Sequence, residues 1–331
     1  MPQATTLIRT HSPANDQLAP SSDSTSRILG SHPRLDDVRT FARRAARVPF
    51  ARVLITGASG TGKSLLAREI HDLSHARGEF VAVNCAALPG HLLESELFGH
   101  EKGAFTDART AKPGLLELAH EGTVLLDEIG ALPLELQAKL LLFLETHEVR
   151  RVGGVRGRLI RTRVIAATNE DLHERVRERT FRADLLYRLD VASLALPSLC
   201  ELPGVAEELA RHFVLQLCDE MGLRVPDITA ATFARLCDYS WPGNVRELRN
   251  AVERALVLNE GTGLEIPTPS PARSTRGEFV MPYGLTLEEV ERRYLAAVMN
   301  ARPDQDFVKL APMLGISRKT LWEKRKKYGL R

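Results

Sequence analysis

The chain has 331 residues, 44% of them hydrophobic and 26% charged, with a formal net charge of +3. That is the balance of an ordinary folded chain of one to three domains, and so small a net charge excludes no class of partner. Cys85, Cys200, Cys218 and Cys237 show no C-x-x-C spacing, which argues against a zinc site or a disulfide scaffold, and the absence of a signal-peptide core or a bilayer-length apolar run predicts a cytoplasmic protein with no membrane partner.

Residues 1–26 are rich in Ser, Thr, Pro, Asp and Gln and read as a disordered tail. From Ile28 a helical pattern opens, with Val38, Phe41, Ala42 and Ala45 at helical spacing. It leads into Val53-Leu54-Ile55, an apolar run that reads as a buried strand. Then comes Gly57-Ala58-Ser59-Gly60-Thr61-Gly62-Lys63-Ser64, which fits G-x-x-x-x-G-K-[ST] without mismatch and precedes a helical stretch over 65–70. Strand, glycine loop, helix is the context a phosphate-binding loop requires. Glycines let the backbone wrap phosphates, N–H groups at the helix start point at the anion, Lys63 adds a point charge, and the Ser64 hydroxyl can sit on Mg²⁺. The stretch predicts binding of a nucleoside triphosphate.

Residues 80–85 read as a second strand with Asn84 near its end, where open parallel sheets gather ligand-facing groups. A strand-end Asn opening a turn fits the position equally well. Residues 94–108 mix glycines, charges and Phe105, which predicts a loop breaking a helix, with the Phe either received by a partner or folded back on the core. The apolar run over 122–128 ends in Asp127 and Glu128, the carboxylates the second half of a triphosphatase site needs, Asp127 for Mg²⁺ and Glu128 for the attacking water. Leu136, Leu140, Phe143 and Leu144 mark an amphipathic helix. Residues 150–158 read as a basic, glycine-broken loop, and 163–169 as a buried strand ending in Thr168 and Asn169. Arg182 and Arg188 stand six positions apart, which on a helix is a poor shared face. Two surface arginines and two arginines reaching a neighbour's site both remain open.

After a break at 197–204, Leu209, Phe213, Leu217, Met221, Phe233 and Leu236 outline a small all-α region. A turn at Trp241-Pro242-Gly243 opens its last helix, where Arg246 opposes the helix dipole in the first turn, a position poor for stability and suggestive of function. Residues 261–282 read as a linker. Leu287, Val290, Tyr294 and Val298 then mark one helix face, and 306–314, Gly315-Ile316-Ser317 and 318–328 read as helix, tight turn, helix. Ser317 is a natural N-cap, and the final helix carries Arg318, Lys319, Lys324, Arg325, Lys326 and Lys327, the footprint of major-groove binding.

Taken together the chain resembles the bacterial enhancer-binding proteins, activators of sigma-54 RNA polymerase within the AAA+ ATPases. The resemblance runs from about residue 28 to 331. Its most specific part is residues 94–106, similar to the family's surface loop ending in the hexapeptide G-A-F-T-G-A, which stands here as Gly103-Ala104-Phe105-Thr106-Asp107-Ala108. The resemblance implies an α/β AAA+ P-loop ATPase core, a parallel sheet with flanking helices, over 27–196. It also implies an α-helical lid over 197–260 and a C-terminal Fis-like helix-turn-helix over 283–331. It implies that Phe105 and Thr106 touch sigma-54, that Asp127 and Glu128 are the Walker B pair, and that Asn84 pairs with that Glu. Thr168 and Asn169 match the first sensor, Arg246 the second, and Arg182 and Arg188 the trans-acting arginine fingers. ATP and Mg²⁺ are then the cofactors. The partners it implies are sigma-54 RNA polymerase, upstream enhancer DNA, and a homo-oligomer in the form of a hexameric ring, or a hetero-oligomer with a close relative. The DNA contacts implied are Ser317, Arg318, Lys319, Thr320, Trp322 and Lys324.

Three departures stand out. Asp107 replaces the second glycine of the hexapeptide and adds a charge. Ser64 stands where many members have Glu. Pro312 falls inside the first helix of the DNA module, where a helix interior loses about 3 kcal/mol. No regulatory domain precedes the ATPase in this sequence, and the resemblance then implies control by a separate protein binding in trans or by expression level.

Overall fold

The computed structural model describes residues 27–105, 108–259, 263–267, 286–301, 310–311 and 314–328. The expected tail, Thr106, Asp107 and Pro312 lie outside the described residues. The chain divides into two compact units, residues 1–268 and 269–331.

Five parallel strands build the first unit: β1 (Arg52–Thr56), β2 (Phe80–Asn84), β5 (Thr123–Asp127), β8 (Arg163–Thr168) and β9 (Ala192–Ala195), in the spatial order β2-β5-β8-β1-β9. β8 is buried along its whole length, as a central strand covered on both faces must be. Register brings the carboxyl ends level, with Asn84 opposite Asp127, Asp127 opposite Ala167, and Thr56 opposite Thr168. One face packs Val53, Ile55, Leu125 and Ile165 under α1 (Pro33–Arg47) and α2 (Lys63–Leu73). The other packs Leu54, Val83, Leu126 and Val164 under α3 (Gly90–Phe98), α5 (Leu134–Thr146) and α7 (Ala183–Leu189).

Helix α1 begins at Pro33 rather than Ile28. Proline is favoured at the first helical position, and His32 caps the helix by accepting from the Arg34 N–H at 3.2 Å. Residues 94–98 are helical, not loop, because Leu93 and Leu97, one turn apart, are both buried in the core. The loop proper starts at β3 (Gly99–His100), which pairs antiparallel with β4 (Lys112–Pro113) just before α4 (Leu115–Leu118). Here two glycine backbones touch: a Cβ on Gly114 would lie 2.4 Å from the Phe98 carbonyl carbon, and one on Gly99 2.5 Å from the Gly114 nitrogen. The expected basic loop at 150–158 forms the connection of a hairpin, with its ends taken up by β6 (Glu148–Arg150) and β7 (Gly157–Leu159). After β8 comes the short α6 (Leu172–Arg177).

At the amino edge of the sheet, Arg163 is buried without a carboxylate. Its Nη2 donates to the carbonyls of Ala46 (3.0 Å) and Val48 (2.9 Å), and Nη1 to that of Ile70 (3.4 Å), so the carboxyl-terminal ends of α1 and α2 supply the negative charge.

The lid contains α8 (Val205–Met221), α9 (Ala230–Asp238) and α10 (Asn244–Val257), packed around Trp241, Leu217, Leu236 and Val252. Its boundary differs from the expected one. β10 (Asp227–Ile228) pairs with β11 (Gly263–Leu264), and Leu264 and Ile266 are fully buried, so the lid extends through the first residues of the expected 261–282 linker. In the second unit α11 (Leu287–Ala301) and α12 (Arg318–Tyr328) enclose a small core of Leu295, Leu310, Ala311 and Leu321. Among the described residues no helix is long and apolar enough to cross a membrane.

Candidate functional site

The loop from Gly57 to Gly62 leaves the carboxyl end of β1 and wraps the start of α2, whose first N–H groups have no intrahelical acceptor. Lys63 is 6% exposed, and its Nζ donates to the carbonyls of Gly57 (2.9 Å) and Ala58 (3.3 Å). Thr61 Oγ1 donates to the Ala58 carbonyl at 2.9 Å, bracing the loop from within.

Beside it, Ser64 Oγ donates to Asp127 Oδ2 at 3.0 Å. One hydroxyl and one carboxylate converge, both hard oxygen donors. Among the described residues no three His, Cys, Asp or Glu cluster as a self-sufficient metal cage. This donor set fits Mg²⁺, which takes one or two protein oxygens and completes its shell with phosphate and water. Glu128 follows with φ +53°, a left-handed backbone that is costly for a residue with a side chain and that re-aims it off the strand. Its N–H donates to Asp127 Oδ1 at 3.1 Å, and its Oε2 accepts from the Asn169 N–H at 3.4 Å. Thr168 is fully buried and its Oγ1 accepts from the Glu170 N–H at 3.0 Å, so its hydroxyl shapes the turn that carries Asn169. The Asn84 side chain accepts from the Ala86 N–H at 2.8 Å, the turn-opening geometry, and Asn84 stands opposite Asp127 in the strand register. Cys85, next along, is 2% exposed. Burial, with the charges of Asp127 and Glu128 added, pushes its thiol up to about 12, so it is a neutral wall of the site and no nucleophile.

The lid closes on the phosphate loop through the start of α10. Arg246 Nη1 donates to Ser59 Oγ at 2.9 Å, and the Arg246 N–H to the Gly60 carbonyl at 3.3 Å. The approach is close enough that a Cβ on Gly60 would lie 2.2 Å from the Gly243 carbonyl oxygen. Sequence reasoning missed Asn244. It is 2% exposed, with φ +51°, and its amide works in both directions: Oδ1 accepts from the Leu199 N–H at 2.8 Å and Nδ2 donates to the Ser59 carbonyl at 2.9 Å. An Asn directly after a Gly at a helix start, where left-handed backbone is tolerated, was the available signal.

Arg182 is the N-cap residue of α7, not a member of its first turn. Its guanidinium lies bidentate on Asp184, with Nε to Oδ1 at 3.0 Å and Nη2 to Oδ2 at 2.7 Å, and this fork raises the arginine's pKa and lowers the aspartate's. Arg188 Nη2 donates to Glu145 Oε1 at 3.1 Å. Arg52, the first residue of β1, donates to the Arg188 carbonyl at 3.4 Å, which puts Arg188 at the amino end of the strand whose other end carries the phosphate loop.

The loop between β3 and β4 is drawn together by Gly103 N–H to the Ala108 carbonyl (2.8 Å) and Ala108 N–H to the Phe105 carbonyl (2.9 Å). Ala104 donates its N–H to Glu101, and Phe105 is 42% exposed, so neither expected extreme holds: the ring is half covered. The β6–β7 hairpin flanks this loop. Val152 exchanges backbone hydrogen bonds with Gly99 and Glu101, at 2.9 and 3.0 Å. Arg151 bridges Glu117 (2.7 and 2.9 Å) to Glu101 (3.2 Å), and Arg158 adds a second cation on Glu117 at 2.8 Å. Burial alone pushes the Glu117 carboxyl up; hydrogen bonds from Arg151 and the Gly114 N–H, with both arginine charges, outweigh it and hold the group below the usual carboxylate range.

In the second unit the basic helix α12 is divided. Lys324 is turned onto Glu291 of α11, and Lys327 reaches Glu288 at 2.8 Å. Ser317 Oγ accepts from the Thr320 N–H at 3.0 Å and lies 2.7 Å from the Thr320 hydroxyl, so both side chains serve the cap. Arg318 and Lys319 are exposed, and Trp322 is 61% exposed with Lys326 Nζ 5.5 Å from its ring centroid.

Comparison with known proteins adds three family matches: a sigma-54 interaction domain over residues 28–195, an AAA+ ATPase lid domain over 206–268, and the Fis family of bacterial regulatory proteins over 286–328. The chain is 44% identical over 314 residues to the regulatory protein AtoC of Escherichia coli K12, covering 92% of this chain and 68% of that protein. It is 50% identical over 214 residues to the sigma54-dependent transcriptional activator SfnR of Pseudomonas putida, covering 64% and 58%. Among solved structures it is similar to NtrX of Brucella abortus in complex with ATP, with a TM-score of 0.66, 33% identity, and coverage of 92% of this chain and 70% of that one. Across the first curated relatives it matches, the chain spans from 41% to 72% of their length.

Proposed function

The chain belongs to the sigma-54-dependent transcriptional activators of the AAA+ ATPases, and we propose that it hydrolyses ATP between neighbouring protomers of a ring, hexameric by family likeness. The cycle drives a promoter-bound sigma-54 RNA polymerase from closed to open complex. Solved structures of one relative, NtrX of Brucella abortus, hold ATP in one case and ADP in the other, which supports the choice of nucleotide.

The observation that carries this reading is the place of Arg188. It stands at the amino end of β1, five strand residues from the phosphate loop. That is roughly 15 Å, more than an arginine side chain spans. Arg188 therefore serves no phosphate of its own protomer. In a head-to-tail ring it faces the next one, and its fork exchanges Glu145 for phosphate oxygens as Arg182 exchanges Asp184.

Within one site, Lys63 leaves the Gly57 and Ala58 carbonyls to meet the phosphates. Ser64 and Asp127 would hold Mg²⁺, which would supply charge to offset that of the phosphate oxygens. Glu128, fixed by the Asn169 N–H, accepts the proton of the attacking water. Arg246 on Ser59 passes the state of the phosphate loop to the lid. Asn84, opposite Asp127 in the register, pairs with Glu128 and links hydrolysis to movement of the loop. Gly103, Ala104, Phe105, Thr106, Asp107 and Ala108 form the surface that engages sigma-54. The helix α12 holds upstream DNA.

Mixing two inactive variants tests the ring. Lys63→Ala destroys a protomer's own nucleotide site, and Arg188→Ala destroys what it lends. Mixed in equal amounts, about a quarter of head-to-tail contacts regain a complete site, so ATPase activity should return to that level. If each variant alone is inactive and the mixture stays inactive, Arg188 acts within its own protomer and the shared site is wrong.

A further inference from the structure

His100, the last residue of β3, is gripped at both ring nitrogens. Nε2 lies 3.1 Å from the Thr110 carbonyl, an acceptor only, so Nε2 carries the hydrogen. Nδ1 lies 2.8 Å from Ser95 Oγ and accepts from that hydroxyl in the neutral ring. Ser95 is buried on α3, while Thr110 lies on the returning limb of the loop. The imidazole cannot swing without breaking a bond to each. Against it packs the Phe105 ring, centroids 5.0 Å apart and planes at 62°, the edge arrangement aromatic pairs favour. On the loop's other side a Cβ on Gly153 of the β6–β7 hairpin would meet the Ala104 methyl at 2.9 Å, so the tip is supported from two directions.

Helix α3 follows the carboxyl end of β2 after a short connection. Its first residue, Gly90, follows six positions after Asn84, which pairs with Asp127. Of its side chains, the buried Ser95 bonds the ring that touches Phe105.

We propose that His100 is the positioning residue of the output loop. It links α3 to Phe105, so that a shift of α3 reaches the aromatic tip through the Ser95 hydrogen bond and the ring contact. This rests on the reading that Phe105 touches sigma-54, and the two are tested apart.

The experiment uses the full chain and the variants His100→Ala, Ser95→Ala and Phe105→Ala. Deuterium exchange at the Gly103 and Ala108 amides reports loop order, and open complexes formed per ATP hydrolysed on a sigma-54 promoter report coupling. His100→Ala should raise exchange at both amides about two- to tenfold, the population change one aromatic pair supports. It should lower open complexes per ATP by a similar factor, with ATP turnover retained. Ser95→Ala, which leaves the ring contact in place, should lower coupling with a smaller change in exchange. Unchanged exchange in His100→Ala, or unchanged coupling in both His100→Ala and Ser95→Ala, overturns the proposal. If Phe105→Ala still forms open complexes, the sigma-54 contact is elsewhere, and the exchange result alone decides whether His100 orders the loop.

Discussion

Asn244 is the smallest change with the widest consequence for the ATPase unit. Asn244→Ala strands the buried Leu199 N–H, a loss of about 1–3 kcal/mol. It also forces alanine to hold φ +51° without the local amide contact to the Pro242 carbonyl that helps Asn tolerate left-handed backbone, a further 1–2 kcal/mol or so. The sum is about 2–5 kcal/mol of lid stability. Trp241 is a natural reporter: it is 1% exposed in the lid core and its indole N–H donates to the Leu236 carbonyl at 2.8 Å. The chain's other tryptophan, Trp322, is 61% exposed, so a Trp322→Phe background leaves a signal from the lid alone. Urea unfolding followed by that fluorescence should show the full loss. Asn244→Gly should recover about 0.5–1 kcal/mol of it, the left-handed strain less glycine's extra chain entropy. Because Asn244 Nδ2 also holds the Ser59 carbonyl, ATP affinity should fall in both variants. An alanine variant within about 0.5 kcal/mol of wild type would refute the claim that this amide fastens the lid.

Acid should loosen the β6–β7 hairpin through Glu117. Its folded pKa lies below the unfolded one, so its contribution is fully present above the ordinary carboxylate range and is lost as pH falls through the depressed value. A stability titration from neutral to acid should therefore fall more steeply for wild type than for Glu117→Gln; parallel curves would remove Glu117 as the cause. Among the four thiols, Cys200 and Cys237 are exposed while Cys85 and Cys218 are buried. Ellman's reagent at mildly alkaline pH should titrate two quickly and the other two only after denaturation, with burial raising the pKa of both slow thiols. On DNA, Lys319→Gln should weaken binding and flatten its salt dependence by about one counterion. Lys324→Gln should change the slope less, because that ammonium already sits on Glu291; equal slopes from the two would reverse the division of α12.

The phosphate loop and its strand were legible because a contiguous motif and a local apolar run encode them. The carboxylates at the end of β5 were legible once that loop was in hand. What stayed hidden depends on partners distant in sequence. The basic stretch at 150–158 closes a hairpin because Glu117 and Glu101 neutralise Arg151, and because Val152 pairs with the β3 backbone. Leu264 and Ile266 are only two apolar residues in a polar stretch, too few to show a period, and β10 supplies the pairing. The helical-wheel argument about Arg182 and Arg188 failed at its premise, since Arg182 caps the helix instead of riding on it. Lys324 looked like its neighbours in composition, and only the position of α11 separates it from them.

The glycine contact at the root of the output loop has a mechanical meaning. At Gly99 and Gly114 two backbones meet with no side chain between them, and the gap is too small to admit one. Side chains act as compliant packing, able to change rotamer and absorb strain; bare backbone on backbone does not. The loop is thus mounted on a stiff pivot, directly continuous with α3. A tilt of that helix swings the tip as a lever arm, with little of the travel dissipated at the joint. On the proposed sigma-54 reading, a stiff root complements the His100 contact at the tip: the one carries the movement of α3, the other orients the ring that receives it.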